Sequence, residues 1–109
     1  MAITVTQSKT PADVNNIAVG RYFDDGTVAA YKFTTGFMPR YVCIVNVTDR
    51  IQEEWFEGMA AASGLLQVAA GTKTLITTDG ITVAVDGFTF GLDTTIHITS
   101  KQYSWIALG

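Results

Sequence analysis

The chain has 109 residues, a formal net charge of −3, one cysteine and one histidine, which bounds it to a single domain with one thin core. Thr 16, Val 10 and Ile 9 together make about a third of the chain, and residues branched at Cβ favour pleated sheet over helix, so an all-β fold is expected. The seven Lys and Arg are scattered, which excludes the basic cluster that phosphate tracking needs.

Charged residues are 16 % of the chain, against about 25 % in an ordinary soluble domain. The surface is therefore largely threonine, small and apolar groups, and part of it is expected to be covered in use. No basic start followed by an apolar run marks Met1–Thr10, so no signal peptide is read there. The longest uncharged stretch with any apolar character, Gly58–Thr72, is broken by Gly, Ser and Gln and is too short to span a membrane. A lone cysteine cannot form an internal disulfide, and synthesis in a reducing cytoplasm is the natural expectation.

In chain order, Met1–Asn16 reads as an arm or edge strand, with Ile3 and Val5 alternating against Thr4 and Thr6. The body is expected over 17–109. Ile17–Phe23 and Thr27–Thr34 read as two strands joined across Asp24-Asp25-Gly26. Gly36-Phe37-Met38-Pro39 is a turn, because proline cannot donate to a ladder. Arg40–Thr48 is apolar on both faces and is expected to be the most buried strand, central in its sheet.

Asp49–Gly71 is ambiguous. As a helix it has a capping pattern, Asp49 with Gln52, and a stripe Ile51, Trp55, Met59, Ala62. As a strand it alternates Glu53, Trp55 and Glu57 against Glu54 and Phe56. The C-terminal third reads as a meander: Thr74–Thr78, Ile81–Val85 and Phe88–Gly91 separated by Asp79-Gly80 and Asp86-Gly87, each suited to a type I′ turn. Thr95–Thr99, with Ile96 and Ile98 inward, and Tyr103–Leu108 complete it. Together these elements predict a single antiparallel β-sandwich, jelly-roll-like.

Candidate chemistry is sparse. His97 is expected to face outward, opposite Ile96 and Ile98, with neither a nucleophile motif nor further ligands to make it a base or a metal site. Cys43 lacks a neighbouring cation to activate it and reads as a small core residue. Glu53, Glu54 and Glu57 read as solvated charge, and Asp24-Asp25-Gly26 lacks the ligand spacing of a calcium loop. No phosphate-cradling motif follows Gly58 or Gly64. Trp55 and Trp105 are candidates for a sugar-stacking platform, although core packing accounts for them as well. The sequence assigns no catalytic residue, no cofactor and no metal.

One central stretch carries a resemblance. Gly36-Phe37 with Pro39-Arg40-Tyr41-Val42, then Asn46, Asp49-Arg50 and Trp55-Phe56-Glu57-Gly58-Met59, resembles a family of small tailed-bacteriophage virion structural proteins. Gly71-Thr72-Lys73-Thr74-Leu75, Gly80-Ile81-Thr82-Val83 and Gly87-Phe88-Thr89 fit the same pattern, so the likeness covers about half of the chain. It moves Ile51–Gly58 toward a strand followed by a small-residue loop. It implies a non-enzymatic virion protein: a head decoration (cement) protein forming a homo-oligomer such as a trimer and contacting another phage structural protein such as the major capsid protein. A tail, adaptor or fibre-associated part is the alternative, with a carbohydrate-binding module in a different class and a small hydrolase behind it. Neither nucleic acid nor membrane is an expected partner. The expected subunit interface comprises Ile3, Val5, Trp55, Met59, Leu65 and Leu66.

Overall fold

A computed structural model describes residues 16–24 and 29–109, which form eight strands and, among the described residues, no helix. The strands are β1 (Ile17–Phe23), β2 (Tyr31–Thr34), β3 (Tyr41–Asn46), β4 (Ile51–Phe56), β5 (Ser63–Gln67), β6 (Lys73–Ala84), β7 (Gly87–Phe90) and β8 (Gln102–Leu108). All pair antiparallel in one sheet ordered β1-β8-β3-β4-β5-β6-β7-β2. The fold is all-β and sandwich-like, as the β-branched composition implies.

From β3 to β7 the chain is a meander, but β8 inserts between β1 and β3, and β2 pairs with β7. These long-range pairings curl the single sheet so that its two edge strands approach each other. The two terminal strands are brought close without pairing. Tyr22 of β1 lies 5.2 Å from Tyr31 and 5.3 Å from Phe33 of β2, centroid to centroid. The expected hairpin between the first two strands is therefore absent: β1 finds a seven-residue register with β8, more than the four pairs that β2 makes with β7.

β3 is central, flanked by β4 and β8, but its burial alternates. Val42, Ile44 and Asn46 point into the core, whereas Tyr41, Cys43 and Val45 lie on the outer face and are half-buried. Cys43 is thus an outer-face residue, not a core one. The core itself collects Val42, Ile44, Trp55, Leu66, Ile81, Phe88, Phe90, Ile96, Tyr103 and Ala107. Each large side chain there contributes about 1.5–3 kcal/mol of burial.

The ambiguous segment is strand β4 over Ile51–Phe56, and a further strand, β5, occupies Ser63–Gln67 where a loop was expected. Asp79-Gly80 is not a hairpin turn. It lies within β6, whose register with β5 jumps from Gly64↔Ile76 to Ser63↔Ile81. Asp79 takes a φ of 58° there, and a Cβ on Gly80 would stand 2.4 Å from the Ser63 carbonyl oxygen. Thr77–Gly80, the residues of β6 that this jump leaves without a partner on β5, make an enlarged bulge that lets β6 leave β5 and join β7.

The next hairpin turns at Val85-Asp86, one residue earlier than expected, since Ala84 and Gly87 are already partners. Neither Val85 nor Asp86 has a positive φ, so the turn is not type I′. Thr95–Thr99 is not a strand either. Asp93 folds it locally, its carboxylate accepting from Thr95 N at 2.9 Å and its carbonyl from His97 N at 2.8 Å. Ile96 then plugs the core from a loop.

Candidate functional site

The outer face of β1, β8, β3 and β4 is unusually apolar. Directly paired residues share a face, so the registers define three outer rows. The first is Phe56–Tyr41–Leu108–Ile17, the second Glu54–Cys43–Ile106–Val19, the third Gln52–Val45–Ser104–Arg21. Phe23 extends the same face of β1 beside Gln102. Exposure is high for large apolar groups: Val19 70 %, Ile17 62 %, Phe23 59 %, Phe56 43 % and Leu108 36 %.

The inward positions explain why these side chains are outside. On β1 the core side is Ala18, Gly20 and Tyr22, and a Cβ on Gly20 would meet the Trp105 indole at 2.6 Å. The indole fills that side, packed between Phe33 at 5.2 Å and Phe88 at 5.2 Å. Ile17, Val19 and Phe23 are left to water. Small Ser104 leaves open depressions on either side, toward Val19 and Arg21 and toward Cys43 and Val45.

Polar groups on this face are largely engaged. Tyr41 donates to Glu54 at 2.7 Å; burial and this bond push its phenol well above the ordinary range. Gln52 donates to Glu54 at 3.3 Å, and Lys73 lies 4.0 Å away. Burial likewise raises the Cys43 thiol, the opposite of an activated cysteine. Arg21 makes no ion pair among the described residues.

The expected interface residues are scattered by the fold. Leu65 lies on the outer face, opposite Glu54 and half-buried. Trp55 and Leu66 are core residues with little exposed surface, so neither is available to a partner. Trp55 donates its indole N–H to Ala60 O at 3.2 Å, leaving no ring face open to a sugar. Met59 packs against the core. Ile3 and Val5, with the rest of the expected arm, lie outside the described residues.

Two acidic groups and the histidine depart from expectation. Asp24 is fully buried, and a carboxylate oxygen lies 3.1 Å from His97 Nε2. That contact is close but out of line for a hydrogen bond. His97 Nδ1 lies 2.8 Å from the Gly91 carbonyl, and the ring stacks on Phe90 at 4.8 Å. The histidine is thus inward, held in a loop and not on a strand. Glu53, expected in solvent, is also fully buried and rests on Gly64, whose missing Cβ leaves its place. Burial, with a smaller contribution from Asp93, pushes its carboxyl from 4.5 up to about 8.

Sequence alternation could not reveal these inward charges, since His97 has apolar neighbours and Glu53 lies in an acidic run. Neither group opens to a substrate. Asp24 and the His97 side chain are sealed by Phe90, Tyr31 and the strand-β8 end. In comparison with known proteins, no family model matches the chain, and no curated protein or solved structure matches it.

Proposed function

We propose that the chain is a structural assembly subunit: a virion protein of a tailed bacteriophage, with head decoration (cement) as its role. One observation carries the assembly role. Four adjacent strands present a continuous outer face of Ile17, Val19, Phe23, Ile106, Leu108, Val45 and Phe56. Contiguous apolar surface of this kind marks contacts with other macromolecules. The phage assignment is supported by the resemblance of Gly36–Met59 and Gly71–Thr89 and by the low charge of the chain.

The buried state of His97, Asp24 and Glu53 favours this reading over a hydrolase, since catalysis needs groups within reach of substrate. Burial of Trp55 likewise argues against a sugar platform built on that residue. The test is the protein composition of purified particles. A decoration protein is expected in a fixed, high ratio to the major shell protein, and a tail component in a low one. Absence from particles overturns both.

A further inference from the structure

We infer that the outer face of β1-β8-β3-β4 is covered by a second copy of this chain, face to face, about a two-fold axis running parallel to the strands between β8 and β3. The inference deepens the assembly reading and rests on it for the claim that this face is covered at all. It adds which partner covers it and in what geometry.

The area fits. Taking about 200 Å² for a large apolar residue, the five exposed residues alone leave ~500 Å² of apolar surface open. Tyr41, Cys43, Val45 and Ile106, all partly exposed, extend the face toward the ~800 Å² per partner of a stable interface. The packing mode is ordinary, because two sheets stack about 10 Å apart with strands within about 30° of parallel.

Under that operation each row folds back on itself, the geometry of an isologous contact, and the first row is apolar against apolar throughout. The axis lays β1 of one copy over β4 of the other, and β8 over β3. In the first row Ile17 then meets Phe56 and Leu108 meets Tyr41. In the second, Ile106 meets Cys43, and Val19 falls beside Glu54, whose carboxylate accepts from Tyr41 and Gln52 of its own sheet. In the third, the depressions beside Ser104 receive Val45 of the second copy. Arg21, with no ion pair of its own among the described residues, falls over the Gln52 position. Its long side chain reaches toward Glu54, one row away on the same strand.

Sedimentation equilibrium of the whole chain tests this. At micromolar concentration the chain is expected to be dimeric. Val19→Glu should weaken association by at least about tenfold, because it sets a carboxylate against Glu54 of the second copy, and like charges juxtaposed across an interface oppose association. Val85→Glu, at the most exposed apolar residue and off this face, should leave it unchanged. Circular dichroism checks that each variant folds, and Ile17→Lys replaces Val19→Glu if the latter does not. A monomeric wild type, or a Val19→Glu or Ile17→Lys variant that dimerises like wild type, overturns the inference. Particle composition separates the two ideas: a chain that is monomeric in solution yet abundant in particles removes this interface and leaves the virion role standing.

Discussion

His97 Nε2 lies 3.1 Å from a carboxylate oxygen of Asp24 in a fully buried site. On its other side, Nδ1 faces the Gly91 carbonyl at 2.8 Å. A carbonyl only accepts, so Nδ1 carries a hydrogen. The contact joins the loop after β7 to the end of β1, two segments with no ladder between them.

Removing the imidazole takes away its Nδ1 contact with Gly91 O and its stacking on Phe90 and leaves a cavity beside Asp24, whereas Asp24→Asn keeps the shape and removes the charge. His97→Ala is therefore expected to cost about 2–5 kcal/mol through the cavity and the lost contact, and Asp24→Asn only about 1–3 kcal/mol. Urea unfolding at neutral pH measures both. Equal, small losses would show that the pair does not bind the loop to β1.

Glu53 gives the chain a distinctive pH dependence. Its carboxyl is raised from 4.5 to about 8 by burial first and Asp93 second, and neither oxygen has a hydrogen-bond partner among the described residues. Between these values the folded state holds a proton that the unfolded state has released. The contribution is thus fully present below about 4.5 and is lost as pH rises to about 8, with a slope of about 1.4 kcal/mol per pH unit. Glu53→Gln should flatten that slope and be more stable than wild type at pH 8. Parallel urea-stability profiles for the two proteins would contradict it.

The strand pattern was legible because alternation is strong: β1, the core of β3, β7 and β8 fall within a residue or two of their expected places. What alternation cannot show is which face of a strand is inside. In Ile17–Phe23 the large apolar residues point outward because Trp105 occupies the room over Gly20, a contact made by β8, far away in sequence. The same limit hid Glu53, whose inward place depends on Gly64 of β5, and the Asp24–His97 contact, which spans most of the body. Asp79-Gly80 has the composition of a hairpin turn, and only the approach of Ser63 makes it a bulge. Pairing order was equally hidden, since β1·β8 and β2·β7 are set by closure of the whole sheet.

Gly80 tests that bulge. A methyl group there would stand 2.4 Å from Ser63 O and 2.8 Å from Ala62 O, both backbone atoms that cannot swing aside. Gly80→Ala is expected to cost about 1–3 kcal/mol through overpacking. Gly58→Ala meets no atom within 4 Å but has a φ of 100°, so its cost is backbone strain alone, about 1–2 kcal/mol. Thermal unfolding with hydrogen exchange separates them: only Gly80→Ala should expose the β5–β6 and β6–β7 ladders. Unchanged protection there would refute the bulge as the point where β6 changes partner.

Two stacked tyrosines make the sharpest comparison. Tyr22 and Tyr103 lie 4.7 Å apart and within 9° of parallel, yet their hydroxyls differ. That of Tyr103 accepts from Ile98 N at 2.6 Å and sits 2.8 Å from Ile96 O and 2.9 Å from Ile98 O, so it ties down the loop carrying Ile96 and His97. That of Tyr22 is buried without a hydrogen-bond partner among the described residues, and burial drives its phenol far above the ordinary range. Removing a satisfied buried hydroxyl leaves its partners stranded; removing an unsatisfied one relieves a desolvation cost. Tyr103→Phe should therefore lose about 1–3 kcal/mol and speed amide exchange across Asp93–Ser100. Tyr22→Phe should be neutral or stabilising, with that loop unchanged. A Tyr22→Phe variant as damaged as Tyr103→Phe would mean that the Tyr22 hydroxyl has a partner in the folded protein and that the seam between β1 and β2 is held by more than ring packing.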